Sequence, residues 1–201
     1  MSKGKPISRV AISEMQIIPF ASPAIWEQWL DENHAVSKGI WLQFYKKGSG
    51  ITSVTYAEAL DVALCYGWID AQLKSIDEIS YKQHFTPRRP KSIWSKRNIE
   101  HIARLTADGR MKPAGIKEAE TAKADGRWAV AYDSPANMVL PDDFMAELSK
   151  DEKVLAFYDS LKKANQYAIC WRIQTAKRPE TKEKRKKEIL EMLGRGEKFH
   201  S

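Results

Sequence analysis

The stretch 68–86 constrains the fold most, because the periodicity of the sequence changes there from that of a helix to that of a strand. The helical pattern before it ends at Gly67, a residue suited to the left-handed conformation that closes a helix. Side chains then alternate over 68–74 and, after a short turn, again over 79–86. Two alternating segments joined by a tight turn predict an antiparallel hairpin.

Further patterns extend this hairpin into an α+β fold. The segment 40–46 also alternates, which predicts a third strand, and the apolar run Ile17–Phe20 predicts an edge strand or an extended lead-in. Helical spacing predicts helices that begin near Ser22, Thr55, Ser95, Pro113, Pro141 and Ser149, and two more over 164–176 and 180–193. The predicted fold class is therefore α+β and mostly helical, with a small three-stranded antiparallel sheet (about 40–46, 68–74 and 79–86) and a basic C-terminal helix.

Two of the helix starts carry a capping-box signature, Thr55 with Glu58 and Ser149 with Glu152. In a capping box the hydroxyl and the carboxylate each accept a hydrogen bond from a backbone N–H that the helix leaves without a partner. We therefore expect helices to begin at both positions.

Composition divides the chain into three predicted parts: a loose N-terminal arm (1–15), a single globular α+β domain (16–176) and a basic C-terminal helical extension (177–201). No apolar run is long enough to span a membrane, and no apolar signal-peptide region follows the N-terminal cations. The two cysteines, Cys65 and Cys170, have no metal or redox spacing and are predicted to be buried thiols. These features predict a cytoplasmic protein without a membrane span.

The net charge of +7 is concentrated in two zones. Residues 82–104 hold seven Lys and Arg against one acidic residue, and residues 172–201 hold ten against five, which leaves −4 for the rest of the chain. Two basic zones on a mildly acidic body favour an anionic partner.

The first basic zone surrounds a predicted helix start. Lys96 and Arg97 follow the predicted N-cap Ser95, and such cations oppose the helix dipole by about 0.3–1 kcal/mol each. An anion among the helix N–H groups would compensate them, so we predict an anionic small molecule that bears a phosphate or carboxylate. The predicted ligand-binding residues are Trp68, Asp70, Arg88, Arg89, Trp94, Ser95 and Asn98.

In this hypothesis Arg88 and Arg89 hold the anion, Ser95 and Asn98 offer a hydroxyl and an amide, and the tryptophans flank the ligand. Two structural alternatives stay open. The cations can point into water or pair with acidic residues of the hairpin, and the tryptophans can fill the core. The acidic residues in question are Asp70, Asp77 and Glu78.

Two other classes of function also stay open. One is a nucleic-acid-binding protein that uses both basic zones and their interleaved aromatic side chains. The other is an enzyme that uses Asp70, which lies on the same predicted strand face as Trp68 and Lys74, as an acid or base. The four histidines have no metal-ligand spacing, and no phosphate-loop, dinucleotide or nucleophile-elbow motif is present. The sequence therefore predicts no metal and no cofactor, favours a non-enzyme, and indicates no oligomeric state.

Two of these segments resemble a known family. GWID (67–70) and FTPRRPKSIWSKRN (85–98) are similar to the YdeI/OmpD-associated family of bacterial proteins. The resemblance continues through shorter matches at Leu105, Gly109–Met111, Ala114–Gly115, Gly126–Trp128, Val139–Pro141, Phe157 and 176–185. It implies a small bacterial protein linked to bacteriocin protection or to tolerance of cationic antimicrobial peptides. It implies no reaction and no catalytic residue.

Overall fold

The computed structural model describes residues 16–133, 137–176 and 178–200. The predicted N-terminal arm, 1–15, lies outside the described residues. The elements in chain order are β1 (Ile17–Pro19), α1 (Pro23–Asn33), β2 (Ile40–Tyr45), α2 (Tyr56–Cys65), β3 (Trp68–Ser75), β4 (Ser80–Pro87), α3 (Lys96–Ala107), α4 (Pro113–Ala124), α5 (Asp142–Leu148), α6 (Glu152–Ser160), α7 (Lys163–Gln174) and α8 (Pro179–Gly194). The predicted mixture of helices and strands is confirmed.

The sheet has four strands in the order β1-β2-β4-β3, so the predicted three-stranded sheet is wrong by one strand. The added strand is β1, which pairs in parallel with β2, Ile17 lying opposite Trp41. A strand of three residues shows almost no alternation, and its partner is more than 20 residues away in the sequence. The sequence pattern therefore left its pairing open. The other three strands and the antiparallel hairpin of β3 and β4 are confirmed.

A β-bulge interrupts the hairpin. Asp70 lies opposite Phe85, but beyond the bulge Leu73 lies opposite Gln83 and Lys74 opposite Lys82. An extra residue in one strand moves every later side chain of that strand to the other face of the sheet. Asp70 and Lys74 consequently lie on opposite faces, although the uninterrupted alternation predicted a shared one.

Three of the predicted helix starts have the expected side-chain cap, at Ser22, Thr55 and Ser95. The Ser22 hydroxyl accepts a hydrogen bond from the Ile25 N–H, and Thr55 and Glu58 form the complete capping box. The predicted box of Ser149 with Glu152 is wrong. The carboxylate of Asp151 caps α6 instead, while Ser149 ends α5 and donates its hydroxyl proton to the Met145 carbonyl.

The chain forms two compact units. The first comprises the chain up to Ser92 together with Glu100–Gly126, and the second comprises Ile93–Ile99 and the chain from Arg127 onward. The predicted division into a domain over 16–176 and an extension over 177–201 stays a prediction.

Each unit has its own apolar core. In the first, the Trp26 ring lies 5.4 Å from that of Trp29, 6.3 Å from that of Trp68 and 5.9 Å from that of Phe85. In the second, the buried residues include Leu140, Phe144, Leu148, Ile169, Ile173, Ile189 and Leu193. Both cysteines are buried thiols, as predicted.

Candidate anion-binding site

The predicted site residues fall into two groups, one in each unit. Trp68, Asp70, Arg88 and Arg89 belong to the first unit, and Trp94, Ser95 and Asn98 belong to the second.

In the first unit, Trp68 and Asp70 are held by neighbouring residues. The Trp68 side chain is 1% exposed, and its indole N–H donates to the His34 carbonyl at 3.2 Å. Asp70 accepts hydrogen bonds from the Tyr56 hydroxyl at 2.9 Å and from the Gln83 amide at 3.4 Å. Trp68 is thus a core residue, and Asp70 anchors a polar network between α2 and the sheet.

The two arginines differ in exposure. Arg88 is 7% exposed, and its guanidinium donates to the Ser92 hydroxyl at 3.5 Å. Its backbone N–H donates to the Gly67 carbonyl at 3.0 Å, which places it beside the start of β3. Arg89 is exposed. Only Arg89 of this pair therefore presents its charge directly to solvent.

In the second unit, the predicted cap of α3 is present, because the Ser95 hydroxyl accepts a hydrogen bond from the Asn98 N–H at 3.1 Å. The buried Trp94 ring lies 5.0 Å from that of Trp128. Lys96, in the first helical turn, forms an ion pair with Asp133 at 2.8 Å. The first-turn lysine thus has an acidic partner that is distant in sequence, and part of the charge attributed to a missing anion is compensated internally.

Among the described residues, two cations without an ion pair lie elsewhere, on the sheet face that carries Trp41, Lys74, Lys82 and His84. We call these four residues the lysine–tryptophan face. The Lys74 and Lys82 ammonium groups lie 5.4 and 5.0 Å from the centroid of the Trp41 ring. Lys74 is directly opposite Lys82 across the strands, and Trp41 is directly opposite His84.

This arrangement is electrostatically unfavourable by itself, because like charges directly opposite each other destabilise an antiparallel pair. Over residues 16–133, 137–176 and 178–200, neither lysine forms an ion pair with a carboxylate. Burial, and then the positive charge of Arg89, lower the pKa of His84 from its usual value. The face therefore carries a positive potential, and a bound anion would reduce the repulsion between the two lysines.

The sequence did not indicate this face, and the bulge is the reason. The uninterrupted alternation put Lys74 with Trp68 and Asp70. The bulge between Asp70 and Leu73 turns Lys74 to the other side, over Trp41. If the strand register is counted from the turn, where Ser75 pairs with Tyr81, the next pair is Lys74 with Lys82, and the two lysines lie opposite each other.

A second polar cluster, also not predicted, joins α2 to α3 in the first unit. Asp61 accepts hydrogen bonds from the Arg104 guanidinium at 2.7 and 2.8 Å and pairs with His101 Nδ1 at 2.9 Å. Burial opposes ionisation most strongly, but these hydrogen bonds and the Arg104 charge lower the pKa of Asp61. The cluster is a structural ion-pair network in which the carboxylate stays charged.

No helix within the described ranges is long and apolar enough to cross a membrane. No curated protein and no solved structure matches the chain.

Two family models match the chain. The model described as "Bacteriocin-protection, YdeI or OmpD-Associated" matches residues 137–196, which confirms the resemblance and includes its stretches at Val139–Pro141 and Phe157. The FTPRRPKSIWSKRN segment lies instead within the match of a second model, described as a domain of unknown function (DUF8412), over residues 18–118. This second match spans 101 of the 201 residues. The chain therefore belongs to the DUF8412 family and carries, in its C-terminal part, a region of the bacteriocin-protection, YdeI or OmpD-associated type.

Proposed function

We propose that the protein is a cytoplasmic bacteriocin-protection-related protein that binds an anionic small molecule on the lysine–tryptophan face. The opposition of Lys74 and Lys82 above Trp41 carries this proposal. An anion between the two ammonium groups attracts both of them and offsets their mutual repulsion. The electrostatic energy of the bound state is therefore lower than that of the unbound state.

The chemistry of the face selects the class of ligand. Each ammonium presents three donors with no fixed geometry, which suits the rounded charge of a phosphate or the end of a carboxylate. The Trp41 ring is 1% exposed, so the ligand meets the ammonium groups before the indole. Arg89 adds positive potential near His84 without joining the lysine pair. A compact anion with one phosphate or a few carboxylates fits this arrangement.

The net charge of +7 also bears on how such a protein could protect against bacteriocins. A positively charged surface repels cationic antimicrobial peptides, so direct capture of such a peptide is electrostatically unfavourable. We propose instead that protection is indirect and acts through the anionic ligand.

A thermal-shift screen with inorganic phosphate, citrate and phosphorylated metabolites that carry no aromatic ring tests the proposal. A ligand that binds only the folded state raises the midpoint, by the equivalent of about 2.7 kcal/mol at a hundredfold excess over Kd. We expect at least one anion to raise the midpoint of the wild type, with the shift lost in Lys74→Gln and in Lys82→Gln. Lys117→Gln, at an exposed lysine of α4, is the matched control and should keep the shift.

Three outcomes would contradict the proposal. One is that no anion stabilises the wild type, and another is that the shift survives in both lysine variants. The third is that Arg89→Gln alone abolishes the shift, which would return the site to the residues predicted from the sequence. Binding of an oligonucleotide whose affinity falls steeply with salt would favour the nucleic-acid class instead.

A further inference from the structure

A concavity of about 710 Å³ in the first unit shares no residue with the lysine–tryptophan face. It is lined by the continuous segment 44–56 and by Tyr81. The segment contains the loop 46–53, which begins with Lys46-Lys47-Gly48-Ser49-Gly50, and contributes no acidic side chain to the lining. Its only charges are therefore positive.

The loop also offers several backbone donors. Within it the N–H groups of Ser49 and Ile51 are bonded locally, to the Lys46 carbonyl at 3.1 Å and to the Ser49 hydroxyl at 3.2 Å. Other N–H groups of the loop have no partner within the part of the chain that the structure describes. They belong to Lys47, Gly48, Gly50, Thr52 and Ser53.

The loop conformation depends on its two glycines. Gly48 and Gly50 have φ values of 90° and 74°, which side-chain-bearing residues rarely adopt. A Cβ at either position would meet no atom within 4 Å, so the backbone angle is the constraint and not the space around it. Successive N–H groups in turn conformations of this kind form concavities that bind anions.

The lysines differ in their contacts. The Lys46 ammonium donates to the Glu78 carbonyl at 2.9 Å, which ties the loop to the β3–β4 turn. Lys47 is exposed. Lys46 thus fixes the loop, and Lys47 is the cation available to a ligand.

The other side of the cleft is aromatic. The Phe44 and Tyr81 rings are stacked at 5.3 Å, and the Tyr56 ring lies 6.5 Å from Phe44. The hydrogen bond from the Tyr56 hydroxyl to Asp70 fixes the position of the phenol ring. Aromatic surfaces of this kind bind planar rings by stacking.

We infer that this cleft binds a phosphate ester carried on a planar ring, such as a nucleoside monophosphate. The phosphate lies against Lys47 and the N–H groups of the loop, and the ring lies against the tyrosines. This cleft therefore takes a ligand that combines an aromatic ring with an anion, whereas the lysine–tryptophan face takes the anion alone.

The test is an NMR titration of the full chain in which Lys74 and Lys82 are both replaced by glutamine, so that the lysine–tryptophan face does not contribute. The probes are AMP, adenosine and inorganic phosphate, and the signals are the backbone amides of Gly48 and Gly50. We expect AMP to move both amides. Adenosine and inorganic phosphate should each bind at least about tenfold more weakly than AMP, because each lacks one part of the ligand.

Lys47→Gln in the same background should weaken AMP binding about tenfold, and Lys117→Gln should leave it unchanged. The inference is overturned if AMP moves neither glycine amide, or if Lys47→Gln binds AMP as well as its parent does. It is also overturned if inorganic phosphate binds as tightly as AMP, because the aromatic wall then contributes nothing. Since the background lacks both face lysines, none of these results depends on the proposed function.

Discussion

Replacing Asp61 by alanine should lower the free energy of unfolding more than the loss of an ordinary surface carboxylate does. The Asp61 side chain is 15% exposed and accepts hydrogen bonds from Arg104 at 2.7 and 2.8 Å, besides pairing with His101 at 2.9 Å. A hydrogen bond to a charged group contributes about 1.5–3 kcal/mol. Because the Arg104 side chain is 47% exposed, solvent screens its interaction with Asp61 and reduces the contribution of that interaction to stability. We expect a loss of about 2 kcal/mol in the free energy of unfolding.

Urea denaturation at neutral pH measures this loss, and Asp108→Ala is the matched control. Asp108 approaches the same guanidinium only to 3.9 Å and is 49% exposed, so its removal should cost less than about 0.5 kcal/mol. The lowered pKa of Asp61 means that its stabilisation is present above the usual value of 3.8 and is lost as the pH falls through the folded-state value. The difference between wild type and Asp61→Ala should therefore shrink in acid. Equal losses for the two variants would refute the reasoning.

Two further predictions concern packing and pH. Gly115→Ala would place a Cβ 2.2 Å from the Cys65 carbonyl oxygen, where α4 meets α2, and should lower the free energy of unfolding by about 3 kcal/mol or more. The control is Gly194→Ala, whose Cβ would meet no atom within 4 Å. In the same denaturation assay it should change the free energy of unfolding by less than about 1 kcal/mol. Asp143→Ala should lower stability at neutral pH, because the side chain pairs with the buried Lys186 ammonium. The hydrogen bond from Lys186 lowers the pKa of Asp143, so this difference should vanish as the pH falls below 3.8, and a difference that persists in acid would contradict the assignment.

The elements that the sequence predicted are those that local chemistry determines. The Thr55–Glu58 box, the Ser95 cap and the β3–β4 hairpin each depend on residues within one short segment. Where two local caps compete, the pattern is ambiguous. Asp151 took the position assigned to Ser149, because its carboxylate accepts the N–H groups at the start of α6.

The features that the sequence did not indicate depend on pairing between distant segments. Lys96 forms an ion pair with Asp133, and Asp61 pairs with His101, and the partners in each pair are about 40 residues apart in the sequence. Neither pair has a periodic signature. The bulge after Asp70 had the largest effect on the candidate site, because a shift of one residue in register decides which face carries a lysine.

The most direct test of the anion site is a site-resolved NMR titration of the wild type with inorganic phosphate. The signals to follow are the side-chain resonances of Lys74 and Lys82 and the indole N–H of Trp41. If the anion lies between the two lysines, all three signals move together with one Kd, and Lys82→Gln abolishes the movement of the other two. If they stay fixed while resonances of Arg88 or Arg89 move, or if Lys82→Gln leaves the titration unchanged, the lysine–tryptophan face is not the binding site.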